Sequence, residues 1–219
     1  MGTRGGPLVV RSIPLTPLGS NCYLVGDPAS REAILIDPGE WSPAVEALTR
    51  PEGYRVTRVL LTHGHFDHVS GAAEAARALG APLWLHADDR PQLDRLPQLA
   101  QAFGFGATDA PPIDHLPVDG EPFAVGAEEG RIIHTPGHSP GGVCLWFPAS
   151  KLLFTGDTLF AGSVGRTDLP GGDWATLERS IRERLFPLGD EVRFFPGHGP
   201  SALLGEERRT NPFVGERAR

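Results

Sequence analysis

The sequence predicts an α+β domain in which two β-sheets are flanked by helices. Three observations carry this reading. Short apolar, strand-like segments dominate both ends of the 219-residue chain. The two halves share one outline: strands, a histidine-bearing loop after a strand, then a helix. No low-complexity linker separates them, so residues 1–219 are read as one domain, with a core over about 8–204 and a C-terminal tail over 205–219.

The elements follow in order. Leu8–Ile13, Asn21–Gly26 and Ala33–Asp37 are apolar runs separated by Pro, Gly, Ser and Asp turn signals, hence strands. Ser42 and Pro43 supply an N-cap and a first-turn proline for a helix through Leu48. Arg58–Thr62 reads as a buried strand running into a histidine cluster, and the alanine-rich Ser70–Leu79, closed by Gly80, as a helix. Pro82–His86 is a further strand, Asp88–Phe105 is partly helical, and Gly104–Pro117 is loop. Strands then recur at Phe123–Val125, Arg131–His134, Val143–Phe147 and Lys151–Thr155. Trp174, Leu177, Ile181 and Leu185 fall at helical spacing behind Asp173 as N-cap, and Glu191–Phe195 is the last strand.

Composition excludes several classes. With 28 Gly and 22 Pro the chain is loop-rich, yet its apolar residues are grouped in compact runs, as in a folded domain. No 18-residue apolar stretch is present, so no transmembrane helix is expected. The start, Met1 to Pro7, has no apolar segment of a secretory signal, and Cys22 and Cys144 are too few for a disulfide framework. A cytoplasmic protein without a membrane partner is the expectation. The formal net charge of −7 argues against a nucleic-acid surface.

The eight histidines are the informative count, because three fall within six residues in Thr62-His63-Gly64-His65-Phe66-Asp67-His68. Alternate residues of an extended segment face the same way, so His63 and His65 can reach one ion. Asp67 and His68 lie where the chain turns into a helix and can face a second point nearby. Three further motifs stand at strand ends: His134-Thr-Pro-Gly-His138-Ser139-Pro140-Gly141, Phe154-Thr-Gly156-Asp157 and Phe195-Pro-Gly197-His198. In each, a glycine directly precedes the His or Asp and lets the backbone approach closely. Five His and two Asp form the ligand inventory of a dinuclear site for a borderline metal such as Zn²⁺.

The run His63-x-His65-x-Asp67-His68, followed by His138, Asp157 and His198, resembles the metallo-β-lactamase superfamily over about residues 8–204, and Asp37 in Ile36-Asp37-Pro38-Gly39 fits the same pattern. The resemblance implies an αββα sandwich with two divalent cations at the sheet edges, Zn²⁺ first, with Fe or Mn as alternatives. It assigns His63, His65 and His138 to one ion and Asp67, His68 and His198 to the other. Asp157 would bridge them, and Asp37 would orient a ligand from behind. Asp157 in place of Cys tells against the zinc lactamases that use a thiolate there, and His65 in place of Glu against the flavodi-iron type.

Within the superfamily the chain is most similar to short glyoxalase II-like hydrolases that lack a C-terminal helical domain. Phe160–Asp168 and Glu206–Phe213 carry that likeness. His198 is followed by Gly199-Pro200 rather than by an aromatic glutathione contact, so the thiol of the substrate is left open. The implied activity is cleavage of a small thioester by a metal-bound hydroxide, with Asp67 and Asp157 as catalytic residues. The rival reading is a mononuclear iron persulfide dioxygenase, which the Gly165-Arg166-Thr167-Asp168 segment also resembles; there the matching Arg contacts the sulfur substrate.

Other residues read more plainly. Gly137-His138-Ser139-Pro140-Gly141 matches a nucleophile elbow in spacing, but Pro140 and the strand after it deny Ser139 the helix an elbow requires. His134 is expected to be buried and hydrogen-bonded, His86 and His115 to be ordinary, and both thiols to be inert core groups. Arg166 contacts an anionic substrate or pairs with Asp168.

Overall fold

A computed structural model describes residues 7–15, 17–102 and 110–218. Part of the loop expected over 104–117 therefore lies outside the described residues. The chain begins with the antiparallel strands β1 (Val9–Leu15), β2 (Ser20–Gly26) and β3 (Glu32–Ile36). Helix α1 (Pro43–Thr49) follows, and its Ser42 cap accepts from the Val45 amide as the sequence predicts. β4 (Arg55–Leu60) and β5 (Leu83–Trp84) complete a five-stranded mixed sheet in the order β1-β2-β3-β4-β5.

Between β4 and β5 lie α2 (Phe66–Val69) and α3 (Ala72–Leu79), where the sequence predicts one helix from Ser70. The break has a cause: Gly71 packs against the backbone at Glu40, and a Cβ there would come within 2.1 Å. After β5, a 3₁₀ turn at Ala87–Asp89 leads into α4 (Arg90–Leu93) and α5 (Leu96–Ala102).

The second sheet uses β6 (Pro122–Val125), β7 (Glu128–His134), β8 (Val143–Phe147), β9 (Leu152–Gly156), β12 (Arg193–Pro196) and β13 (Ala202–Leu203), in the order β13-β12-β9-β8-β7-β6. A small hairpin of β10 (Leu159–Phe160) and β11 (Ser163–Val164) precedes α6 (Trp174–Arg179), which continues as a π-helical turn over Ser180–Leu185. Asp173 caps α6 by accepting from Thr176 N at 2.8 Å.

Strand periodicity sorts the core into three layers. Ile34 and Ile36 of β3, with Tyr23, Val25 and Leu60, face Val143, Leu145, Phe147 and Phe154 between the two sheets. The alternate residues Leu24, Ala33 and Leu35 face α1 and α3 through Val45, Ala72 and Ala75. On the far side, Cys144, Leu153 and Phe194 face Leu177, Ile181 and Leu204 of the helices. This is an αββα sandwich. Each large side chain such as Phe154 contributes about 1.5–3 kcal/mol by leaving water.

The expected tail is a correction. Residues 204–210 form helix α7 (Leu204–Thr210), with Leu204, Glu207, Asn211 and Val214 all buried against the second sheet and its hairpin. Its charged composition hid an apolar contact made by few residues. Among the described residues, no helix is long and apolar enough to cross a membrane.

Topology places the site. β9 and β12 are parallel, and β7 runs the same way through the two antiparallel pairings of β8. The C-terminal ends of β7, β9 and β12 therefore open on one edge. The end of β4 meets them there: Val143 N donates to Thr62 O at 2.8 Å, and Asn21 N donates to Gly197 O at 2.7 Å. Tyr23 Oη closes the same seam by donating to Pro196 O at 2.6 Å.

Candidate metal centre

The structure brings all seven sequence-predicted ligand residues to this edge. His63, His65 and His138 form one group and Asp67, His68 and His198 another, each offering atoms within 4.8 Å of one another. His63 and His65 flank Gly64 on the segment between β4 and α2, which bends at Thr62 and His63. His68 lies in α2, where its ring stands between the groups, with centroids 4.3 Å from His63 and 5.3 Å from His198. Asp157 stands between the groups: Oδ1 is 3.4 Å from His68 Nε2, and Oδ2 is 3.6 Å from His138 Nε2 and 3.5 Å from His198 Nε2. Asp67 Oδ2 lies 3.3 Å from His198 Nε2 and 3.5 Å from His68 Nε2.

Backbone geometry explains the glycines before two of these residues. Gly156 has φ +47°, a left-handed turn that re-aims the chain after β9. At Gly197 a Cβ would stand 2.1 Å from Asp157 Oδ1, so only a residue without one lets β12 approach the carboxylate.

The hydrogen bonds fix which ring nitrogens carry lone pairs. Asp37 is buried; its Oδ1 accepts from Thr62 N and its Oδ2 from Thr62 Oγ1, both at 2.7 Å. Since that hydroxyl proton is committed to Asp37, His63 Nδ1 must donate to Thr62 Oγ1 at 3.0 Å, which leaves the Nε2 lone pair for the site. His138 Nδ1 donates to the Arg166 carbonyl at 2.8 Å, with the same result. His68 Nδ1 donates to Asp37 Oδ2 at 3.1 Å. Asp37 thus backs His68 directly and His63 through Thr62. It does so from φ 50°, a conformation uncommon for a residue with a Cβ.

Electrostatics divide the two groups. Burial, reinforced by the neighbouring histidines, pushes His63 well below the ordinary histidine range, and burial lowers His138 as well. Burial, with His68 next, brings His65 down to about 4. These three rings are neutral and ligand-ready at pH 7. In the other group, burial opposes charge but is outweighed: Asp67, Asp157 and Asp37 raise His68 to about 10, and Asp67 and Asp157 raise His198. Burial likewise opposes ionisation of Asp67, yet His68 and His198 hold it below the usual carboxylate range.

The donor set fits divalent cations. His63 Nε2, His138 Nε2 and Asp157 Oδ1 are buried without a hydrogen-bond partner. Each such atom costs about 1–3 kcal/mol if left unpaired. They converge with four further His and Asp side chains of the type that binds borderline metals.

A cavity of about 680 Å³ opens over the cluster, walled by apolar residues including Leu18, Phe66, Pro91 and Leu169. Arg166 lines it, but its guanidinium grips Asp168 through two bonds of 2.6 and 2.8 Å. Ser139 is no elbow nucleophile, since its hydroxyl donates to buried Asp89. His134 Nε2 donates to Pro140 O, and its ring stacks on His86 at 4.3 Å. His115 pairs with Glu121, and both thiols are buried, which pushes Cys22 up and Cys144 to about 11. Asp89 and the cavity residues Gln92 and Arg95 were not singled out by the sequence, where they lack any motif of their own, and Thr62, though it opens the histidine motif, was given no role there.

Comparison with known proteins agrees with this geometry. The model of the metallo-beta-lactamase superfamily matches residues 15–198. Hydroxyacylglutathione hydrolase GloC of Haemophilus influenzae is 36% identical over 211 residues, covering 95% of this chain and 99% of the relative. Among solved structures, the BLEG-1 B3 metallo-beta-lactamase superposes with TM-score 0.86 at 35% identity, over 94% of this chain and 99% of the other. TTHA1623 in a di-iron-bound form superposes with TM-score 0.82 at 41% identity, over 93% and 99%. The chain belongs to the metallo-beta-lactamase superfamily, whose members are mostly hydrolytic metalloenzymes.

Proposed function

We propose that this chain is a dinuclear metallo-hydrolase that cleaves a small thioester. The observation that carries the reading is Asp157, whose two oxygens reach toward both ligand groups at 3.4–3.6 Å. His63, His65 and His138 would hold one divalent cation and Asp67, His68 and His198 the other. When bound, the cations supply Lewis acidity and lower the pKa of water toward ~7. Zn²⁺ is the first candidate, while the di-iron form of TTHA1623 supports iron as the alternative.

The chain's own groups fit hydrolysis. Asp67, held ionised, lines the cavity floor and accepts hydrogen bonds, which orients a water for attack on an acyl carbon. Phe66, Leu169 and the other apolar walls keep bulk water from the acyl group. Hydrolysis adds water across the C–S bond: oxygen goes to the acyl carbon, and sulfur leaves and takes up a proton. A thiol with a pKa of ~8.5 leaves without a strong acid. Beyond the His/Asp cluster, the titratable side chains among the described cavity residues are Asp88, Arg95 and Arg166, none of them an evident acid for an amide nitrogen. GloC, named for hydrolysing a hydroxyacylglutathione, supports a thioester substrate.

The test is metal analysis of the purified protein, followed by assays with an S-acyl thiol, a β-lactam and a persulfide. Two metals per chain and chelator-sensitive thioester cleavage are expected. Full thioesterase activity after exhaustive chelation overturns the proposal. One iron per chain with oxygen consumption on the persulfide replaces it with the dioxygenase reading.

A further inference from the structure

We infer that Asp89 is a positioning residue for the three-histidine group, locking the loop of His63 and His65 to the loop of His138. The inference rests on the reading of those histidines as cation ligands. Asp89 ends the 3₁₀ turn before α4, a segment that contributes none of the seven ligand residues, and it is fully buried. Its carboxylate is saturated by donors from three segments. Oδ2 accepts from Gly64 N at 2.8 Å and from Ser139 Oγ at 2.8 Å. Oδ1 accepts from Gly141 N at 2.7 Å and from Gln92 Nε2 at 3.1 Å. One oxygen atom therefore joins the two ligand loops, and the other holds the second loop again two residues on.

The His65 ring shows why such a lock is needed. His63 is steered by Thr62, and His138 by the Arg166 carbonyl. The His65 ring has no hydrogen bond among the described residues; it packs edge-on against the His63 and His138 rings, with centroids 4.7 and 4.5 Å away, so the relative placing of the two loops sets its direction. The amide of Gly64, directly before it, is the group Asp89 holds. Both glycines approach too closely for a side chain: a Cβ at Gly64 would lie 2.9 Å from Asp89 O, and one at Gly141 2.6 Å from Asp89 N. A buried carboxylate is a poor choice for stability alone, because its desolvation is costly even when hydrogen-bonded. It is a good choice for fixing two backbone amides from distant segments in one geometry, since charge-assisted bonds are short and strong. Gln92, the fourth donor, also lines the cavity, so the same carboxylate ties the ligand loops to the substrate wall.

Asp89→Asn tests this with little change of shape. Whichever way the amide is turned, its NH₂ faces a backbone N–H, either of Gly64 or of Gly141. The measurement is Zn²⁺ affinity by competition with a chromophoric chelator in two backgrounds. In His198→Ala, which keeps the three-histidine group, Asp89→Asn is expected to weaken binding by about 10–100-fold. In His138→Ala, which keeps the other group, it is expected to change affinity less than about twofold, a contrast that a general loss of stability would not give. Co²⁺ spectra of the same variants should shift in the first background alone. Ser139→Ala removes one of the four donors and should move the first background by a smaller factor, which keeps the test in force if Asp89→Asn does not fold. Equal weakening in both backgrounds, or none in the first for both variants, overturns the inference while leaving the metal reading intact. Absence of Zn²⁺ binding by the parent chain overturns the metal reading and this inference with it.

Discussion

The ring of His138 is aimed by the backbone of Arg166, whose carbonyl accepts from His138 Nδ1 at 2.8 Å while its own guanidinium turns away to Asp168. The hydrogen bond from Arg166 to the ligand cluster is therefore made by its backbone and not by its side chain. Arg166→Ala should leave metal content at the parent value, because the carbonyl is kept. His138→Ala should lose cation affinity at the three-histidine group. Metal analysis of the two variants side by side checks this, and metal loss in Arg166→Ala would place the guanidinium in the site after all.

Asp157 is the point at which the two groups depend on one another. Asp157→Ala should abolish both metal retention and hydrolysis, while the secondary structure, read by circular dichroism, stays unchanged. Retention of two metals by this variant would contradict its place between the groups.

Asp37 touches His68 directly and His63 through Thr62. Asp37→Asn keeps the shape but cannot accept at both positions, so either Thr62 N loses its acceptor or Thr62 Oγ1 and His68 Nδ1 both do. Metal affinity should fall by about 10–100-fold. Thr62→Val, which cuts the relay to His63 alone, should cost less than Asp37→Asn in the same titration.

At the opposite end of the sheets, buried Asp27 accepts from Ala29 N at 3.0 Å and Ser30 N at 3.3 Å, and lies against Gly126 in the β6–β7 turn. Burial works against its charge, but these bonds and one from Ala127 outweigh it and hold its pKa below the ordinary value. A depressed carboxylate contributes stability that is complete above the unfolded pKa of about 4 and fades as the pH falls through the lower folded value. Asp27→Ala should cost about 1–3 kcal/mol at neutral pH and leave hydrolysis unchanged. The gap in Tm between the two proteins should close in acid. A gap that persists unchanged at pH 2 would show that the carboxylate's charge is not its source.

The sequence made the strands legible as short apolar runs between turn residues. Ala33, Ile34, Leu35 and Ile36 form such a run because β3 is covered on both faces, by the helices on one and by the second sheet on the other. The ligand set was legible because His63, His65, Asp67 and His68 fall within six residues, while His138, Asp157 and His198 each directly follow a glycine. What escaped has physical reasons. β10 and β11 have two residues each, too few for any period. Helix α7 is bound through Glu207 and Asn211, which hold Gly162 N and Ser163 O of that hairpin by polar contacts that hydropathy does not register. Asp89 meets partners 25, 50 and 52 residues away, so no local pattern can reveal it.

The shared edge of the two sheets also has a consequence in time. Tyr23, near the start of the chain, closes on Pro196 near its end, and His68 meets its counterpart His198 across 130 residues. Such long-range closures come late in folding, because the chain must be mostly synthesised and both sheets docked before they form. A nascent chain that has emerged only through β7 already displays His63, His65, Asp67 and His68 but lacks His138, Asp157 and His198, so it cannot surround an ion with them as the finished protein would. Selection among cations is thereby postponed to the folded molecule, where spacing and not mere residue count decides what is held.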